Sequence, residues 1–186
     1  MYQKEVWTVR GLTTAYVFFV IHLQTRKVLL AQATFSPTNQ WLKQQTRHVF
    51  WACEDQGIEP RFFLRDNDQL YPEKMDAILG SGVDTVKTPY RAPNANSHAE
   101  RFVLSSKQEC LNHLILFGLS RLQHVVDCYT AFYNERRPHQ GIGNNIPAEY
   151  KRTGKRQGGT MPIEAKHVIR KDFLGGLLKS YSRRAA

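Results

Sequence analysis

Two carboxylates in this 186-residue chain stand where chemistry is possible. Asp66 follows the short β-rich run Arg61-Phe62-Phe63-Leu64, within Arg65-Asp66-Asn67-Asp68. An acid at the end of a buried strand projects from a rigid base into the crevice where α/β sheets bind ligands. Asp68 shares its face if the strand continues. Taken alone, the same residues suit an Asx-type turn equally well. Glu100 lies at the start of a long helical stretch, with Leu104 and Lys107 on the same face at i+4 and i+7. A carboxylate and a lysine on one helical face suit a metal ion and a phosphate, or simply a solvated surface. A single Asp and a single Glu do not specify a site.

Elements must bring the two acids together. Lys4 to Ala33 reads as strands. Ala15 to Ile21 has both faces apolar, as a central strand does; Gln24-Thr25-Arg26-Lys27 is a polar turn, and Val28 to Ala33 returns. Ser36-Pro37-Thr38-Asn39 offers a cap and an early proline for a helix from Asn39 to about Gln56, closed by Gly57. Arg61 to Leu64 reads as a strand, Pro72 to Leu79 as a short helix, Val83 to Val86 as a strand and Pro89 to Pro93 as a loop. Asn96 to Leu114 and Leu119 to Tyr133 read as long helices. Strands first, then strands alternating with helices, predict the α/β class: a mixed sheet with helices on its faces.

Composition narrows the setting. A hydrophobic content of 41% is enough for an ordinary core. The longest apolar run, Ala15 to Ile21, is far too short to span a bilayer, and MYQKEVWT has no signal-peptide pattern, so a cytoplasmic protein without membrane contact is expected. Cys53, Cys110 and Cys128 are widely spaced and odd in number, which suits reduced thiols. The net charge is +10, and its placement is uneven: residues 151–186 carry ten Lys/Arg and two Asp/Glu, a net of +8, against +2 for residues 1–150. A concentrated positive segment suits a polyanion, because phosphates neutralised by it release counterions. A solvated end is the alternative.

The most specific string is Tyr133-Asn134-Glu135-Arg136-Arg137-Pro138-His139-Gln140-Gly141-Ile142, followed by Pro147. Apart from a turn at Pro138, local physics does not require it. This string resembles the end of the integrase core of bacterial insertion-sequence transposases, a family related to retroviral integrases. Leu64 to Tyr71 resembles the family's second acidic motif, with Asp66 in the catalytic place. Thr88 to Glu100 resembles the third, with Glu100 in the catalytic place, 34 positions on. The resemblance covers roughly residues 5–150, and Leu174-Gly175-Gly176-Leu177-Leu178-Lys179 is also similar.

The resemblance implies a ribonuclease-H-like α/β core over 1–150 and a basic C-terminal tail over 151–186. It implies DNA recombination for a mobile element: metal-dependent strand transfer on double-stranded DNA, by a homo-oligomer and with no small-molecule substrate. Asp66 and Glu100 would be catalytic metal ligands for Mg2+ (or Mn2+), hard ions that suit carboxylate oxygens. Lys107, Arg91, Asn94, Arg137 and His139 would face DNA. The family uses a third acid on its first strand, about seven or eight residues before Trp7. That place falls at or before Met1, so the chain reads as N-terminally truncated, with impaired activity. His22 occupies a place where the family commonly has an acid. The alternative function is a non-catalytic DNA-binding or subunit-interacting remnant; a ribonuclease or resolvase on the same fold would not predict Tyr133 to His139. An apolar stripe of Phe173, Leu174, Leu177 and Leu178 at helical spacing offers the tail a subunit to dock on. Upstream in-frame DNA encoding an Asp-Phe-Phe-like segment would favour the active enzyme, and a stop codon there the remnant.

Overall fold

The computed structural model describes residues 1–66, 83–88, 96–150 and 167–183. The expected helix at Pro72 to Leu79 and loop at Pro89 to Pro93 lie outside these.

Three strands open the chain: β1 (Tyr2–Thr8), β2 (Gly11–Ile21) and β3 (Val28–Thr34), paired antiparallel in the order β1-β2-β3. Gly11, at φ 101°, serves the tight turn between β1 and β2. The apolar run of β2 does what its pattern predicts, because the sheet is covered on both sides. Val17 and Phe19 face a core shared with Tyr2, Phe102, Val126, Tyr129 and Tyr133, whereas Phe18 packs with Leu42, Val49 and Cys53. The second group comes from α1 (Asn39–Asp55). Thr38 caps this helix, its side chain accepting from Trp41 N at 3.2 Å. Gly57, at φ 62°, ends it, with Ile58 N donating to Cys53 O.

The first core is shared with α2 (Ser97–Glu109) and α3 (Gly118–Glu135). The helix expected from Asn96 to Leu114 stops five residues early. Cys110 leaves helical geometry at φ −138°, ψ −70°, and a short turn at Leu111–His113 buries Leu111 in the core. Among the described residues, no helix is long and apolar enough to cross a membrane.

Two features depart from the expected single mixed sheet with a loose tail. The parallel pair β4 (Phe62–Arg65) and β5 (Asp84–Lys87) forms its own two-stranded sheet among the described residues. In the tail, β6 (Val168–Phe173) and β7 (Leu178–Arg183) form an antiparallel hairpin. Its turn uses Gly175 and Gly176 at positive φ, with Leu174 at φ 49°, so Phe173 to Leu178 form a turn instead of a helical stripe. Those apolar residues face inward: Leu178 is buried in the first core, and the Phe173 ring lies 5.7 Å from Phe132 on α3.

Candidate functional site

The first catalytic candidate sits where β4 ends. Asp66 follows the last residue of β4, and its Oδ1 is buried with no hydrogen-bond partner. A carboxylate oxygen withdrawn from water without a donor is costly, and such groups call for an explanation. Asp66 borders a cavity of about 540 Å³, lined also by Phe18 to Gln24, Ile58 to Arg65, Met1, and Asn96 and Ala99 at the start of α2. The end of β4 and the first turn of α2 therefore meet at one cavity. Glu100 is the next residue on α2 and is exposed. It follows Ala99 by about 100° around the helix and is not among the residues that line the cavity.

A divalent cation fits this chemistry. Carboxylate oxygens are hard donors, and the lone Asp66 Oδ1 has the unmet need that a cation would satisfy. Among the described residues there is no group of three or more His, Cys, Asp or Glu that could hold a metal ion. Asp66 and Glu59 are the carboxylates among the cavity's lining residues, and Glu100 follows Ala99 on α2. His22 also lines the cavity, its Nδ1 2.9 Å from Thr25 Oγ1, and burial lowers its pKa. Arg91, Asn94 and Asp68 lie outside the described residues.

Lys107 is half-buried on α2, and its Nζ is 5.7 Å from the centre of the Tyr2 ring. A cation over an aromatic face is held there electrostatically, so this lysine is restrained as well as charged. Tyr2 itself is buried, which pushes its pKa up to about 12.

The string from Tyr133 to His139 has a different character. Where DNA contact is expected of Arg137 and His139, both have intramolecular partners. Arg137 Nη2 donates to Glu109 Oε1 at 2.6 Å, and its Nε to Glu109 Oε2 at 3.1 Å. Tyr129 OH donates to the same carboxylate at 3.1 Å. The Arg137 guanidinium also lies 5.7 Å from the Tyr133 ring centre. His139 is 8% exposed; its ring packs edge-on at 4.3 Å against Tyr133, and its Nε2 is 3.2 Å from Tyr133 O. Burial is the main cause lowering the His139 pKa, and Arg137 adds to it.

Asn134 completes this network. It accepts from Val28 N at 2.8 Å and donates to Val28 O at 2.9 Å. About three turns earlier on α3, Gln123 does the same for β3, accepting from Ala33 N and donating to Ala31 O. The two side chains occupy the outer edge of β3, which would otherwise be an open sheet edge. Together these contacts clamp α3 to β3 and, through Arg137 and Glu109, to α2, which carries Glu100. Sequence reasoning missed Glu109, Gln123 and Asn134 as positioning residues; the only available signal was a motif that local physics left unexplained.

Residues 81–147 match the family model described as an integrase core domain. The chain is 25% identical over 124 residues to the insertion element IS476 uncharacterized 39.2 kDa protein of Xanthomonas euvesicatoria, covering 56% of this chain and 36% of that one. It is 29% identical over 103 residues to the insertion element IS2A uncharacterized 48.2 kDa protein of Escherichia coli, covering 54% of this chain and 24% of that one. The chain thus spans about a third or less of the length of these relatives. Its fold matches a chain in the structure of the simian T-cell lymphotropic virus intasome in complex with PP2A regulatory subunit B56 gamma. The TM-score is 0.52 at 11% identity, over 97% of this chain and 64% of that one. The family model, the curated relatives and the fold thus all liken this chain to the integrase cores of insertion elements, with the integrase core domain matched over residues 81–147.

Proposed function

We propose that this chain serves DNA transposition or integration by metal-dependent phosphoryl transfer, with Asp66 and Glu100 as metal-holding carboxylates. The observation that carries the reading is the buried, partnerless Asp66 Oδ1, at a cavity also bordered by the first turn of α2. Divalent ions, when bound, would polarise the scissile phosphate and activate the attacking hydroxyl or water. The protein's share is to hold two acids on two rigid elements, a strand end and a helix start. Lys107, restrained over Tyr2, would meet a DNA phosphate as a point charge. Arg91 and Asn94 would add contacts, and double-stranded DNA and a second copy of the chain are the partners this reading expects. The contacts of Arg137 and His139 favour a positioning role over the DNA contact their motif implies.

On this reading Glu100 is essential for strand transfer. A strand-transfer assay with labelled duplex in Mg2+ or Mn2+ tests this. Cleavage abolished by Glu100→Gln supports the reading. Activity that survives Glu100→Gln would end it. The second reading, a non-catalytic DNA-binding or subunit-interacting remnant, is favoured by the lack of any three-member acid or ligand group among the described residues. It predicts duplex binding without turnover. Binding should weaken with salt by a slope of about −0.9 per phosphate contacted. Replacing Lys151, Arg152, Lys155 and Arg156 with Gln should flatten that slope, and an unchanged slope would remove the tail from the interface.

A further inference from the structure

The cavity borders the Phe18–Ile21 end of β2, and an apolar patch occupies the other end of that strand. Three stretches of chain build the patch. Trp7 on β1 pairs with Leu12 on β2, so the two side chains share a face. Trp7 also bridges in parallel to Phe117, its N–H donating to Leu116 O at 2.8 Å. This pairing sets Phe117 on the Trp7 face, with Ile115 two residues before it, while Leu116 between them turns into the core. Val9 stands at the hairpin tip. Trp7, Val9, Leu12, Ile115 and Phe117 are all 48% exposed or more. Alternation explains why: Leu12 and Phe18 lie on one face of β2, and α1 packs on the Phe18 end of it.

Single exposed apolar side chains are ordinary, but five in one place mark a surface that something covers. At these exposures they offer roughly 600 Å² of apolar area. That is close to the roughly 800 Å² that each partner buries in a standard interface. The rim carries charge of both signs. Glu5 is exposed on the Trp7 face of β1, two residues before Trp7, and Arg10 is exposed in the turn after it. An acid and a base thus flank Trp7 along the hairpin, and such a patch is complementary to itself. About a twofold axis through Trp7, Glu5 of one copy meets Arg10 of the other, and the contact occurs twice. A membrane surface or a nucleic acid would call for a basic rim instead. An added strand is unsuited as well, because the Trp7 N–H is already given to Leu116. We propose that a second copy of the chain docks on this face, with Trp7 and Phe117 at the centre of an isologous interface and two Glu5–Arg10 pairs at its rim. The proposal gives a surface to the second copy expected under the functional reading, and rests on that reading only for the expectation of a copy.

Sedimentation equilibrium of the 186-residue chain, in metal-free buffer without DNA, tests it. With neither substrate nor metal present, its outcome is separate from any failure of strand transfer. The parent should pass from monomer to dimer in the micromolar range. Trp7→Ser combined with Phe117→Ser should weaken association by at least roughly 100-fold, with the far-UV circular dichroism of the parent. Glu5→Arg and Arg10→Glu should each weaken it by at least roughly 10-fold. An equimolar mixture of those two variants should associate as the parent does, because every acid then meets a base across the axis. Damage to the fold of a monomer cannot produce recovery on mixing, so the charge variants decide if the serine variant loses its structure. A parent that stays monomeric at all concentrations would overturn the proposal and leave the face to a different partner. So would a dimer that the serine variant leaves intact, or a mixture that associates no better than either charge variant alone.

Discussion

Two regions of the molecule treat their polar groups in opposite ways. At the α2–α3 junction, Glu109 receives Arg137 and Tyr129, and Asn134 satisfies both backbone groups of Val28. At the β4 end, Asp66 Oδ1 is buried with nothing donating to it, and the β2 edge beside it is unpaired among the described residues. Saturated contacts create rigidity; an unmet acid costs stability and is worth keeping only where something else is to bind. The contrast sets a saturated scaffold against the proposed site, and the acids alone do not reveal it, since Glu109 and Asp66 are both carboxylates near helix or strand ends.

The contrast can be broken by substitution. Asn134→Ala should have the largest effect, because it strips partners from a buried N–H and a buried C=O at once. A loss of about 3 kcal/mol is expected from urea denaturation. A loss under about 1 kcal/mol would mean that water replaces the side chain freely. Arg137→Ala should cost less, about 2 kcal/mol, because the pair is partly open, with side chains 27% and 33% exposed. Arg137→Lys should recover only part, since an ammonium cannot reproduce the forked contact. Full recovery would argue that charge alone matters there.

The smallest effect is a pH dependence. His139 is held neutral by burial, so its folded pKa lies below the ordinary 6.5. Between the two values the unfolded chain binds more protons, so stability falls as the medium is acidified from about pH 6.5. It stops falling, for this group, below the folded pKa. The slope per group cannot exceed about 1.4 kcal/mol per pH unit. His22 and His98 are shifted in the same direction, so His139→Gln should reduce the slope without abolishing it. An identical slope would remove His139 from the account.

Much of this arrangement was legible in the sequence, and the failures have physical causes. The apolar run of β2, the Thr38 cap and the Gly57 stop are local signals, and the structure follows them. The long helix was overextended because Leu111 and Leu114 keep an apolar pattern past Cys110, where the core takes Leu111 into a turn instead. The tail residues Phe173, Leu174, Leu177 and Leu178 have helical spacing, yet two glycines at positive φ make them a hairpin turn. The place of Asp66 just after a short strand was legible, and its catalytic role is a proposal. The roles of Asn134, Arg137 and His139 were not, because each depends on a partner distant in the chain: Val28 lies 106 positions from Asn134, and Glu109 lies 28 from Arg137.

The central claim is that Asp66 is a site residue held at a cost to stability, while the α2–α3 network is scaffold. Urea denaturation of Asp66→Asn in the absence of divalent metal tests it most directly. An amide is cheaper to bury than a charged carboxylate with no donor, so the variant should be at least as stable as the parent, by roughly 1 kcal/mol. Added Mg2+ or Mn2+ should then stabilise the parent and leave the variant unmoved. A variant less stable than the parent by 1 kcal/mol or more, in metal-free buffer, would show that Asp66 is part of the scaffold and would contradict the account.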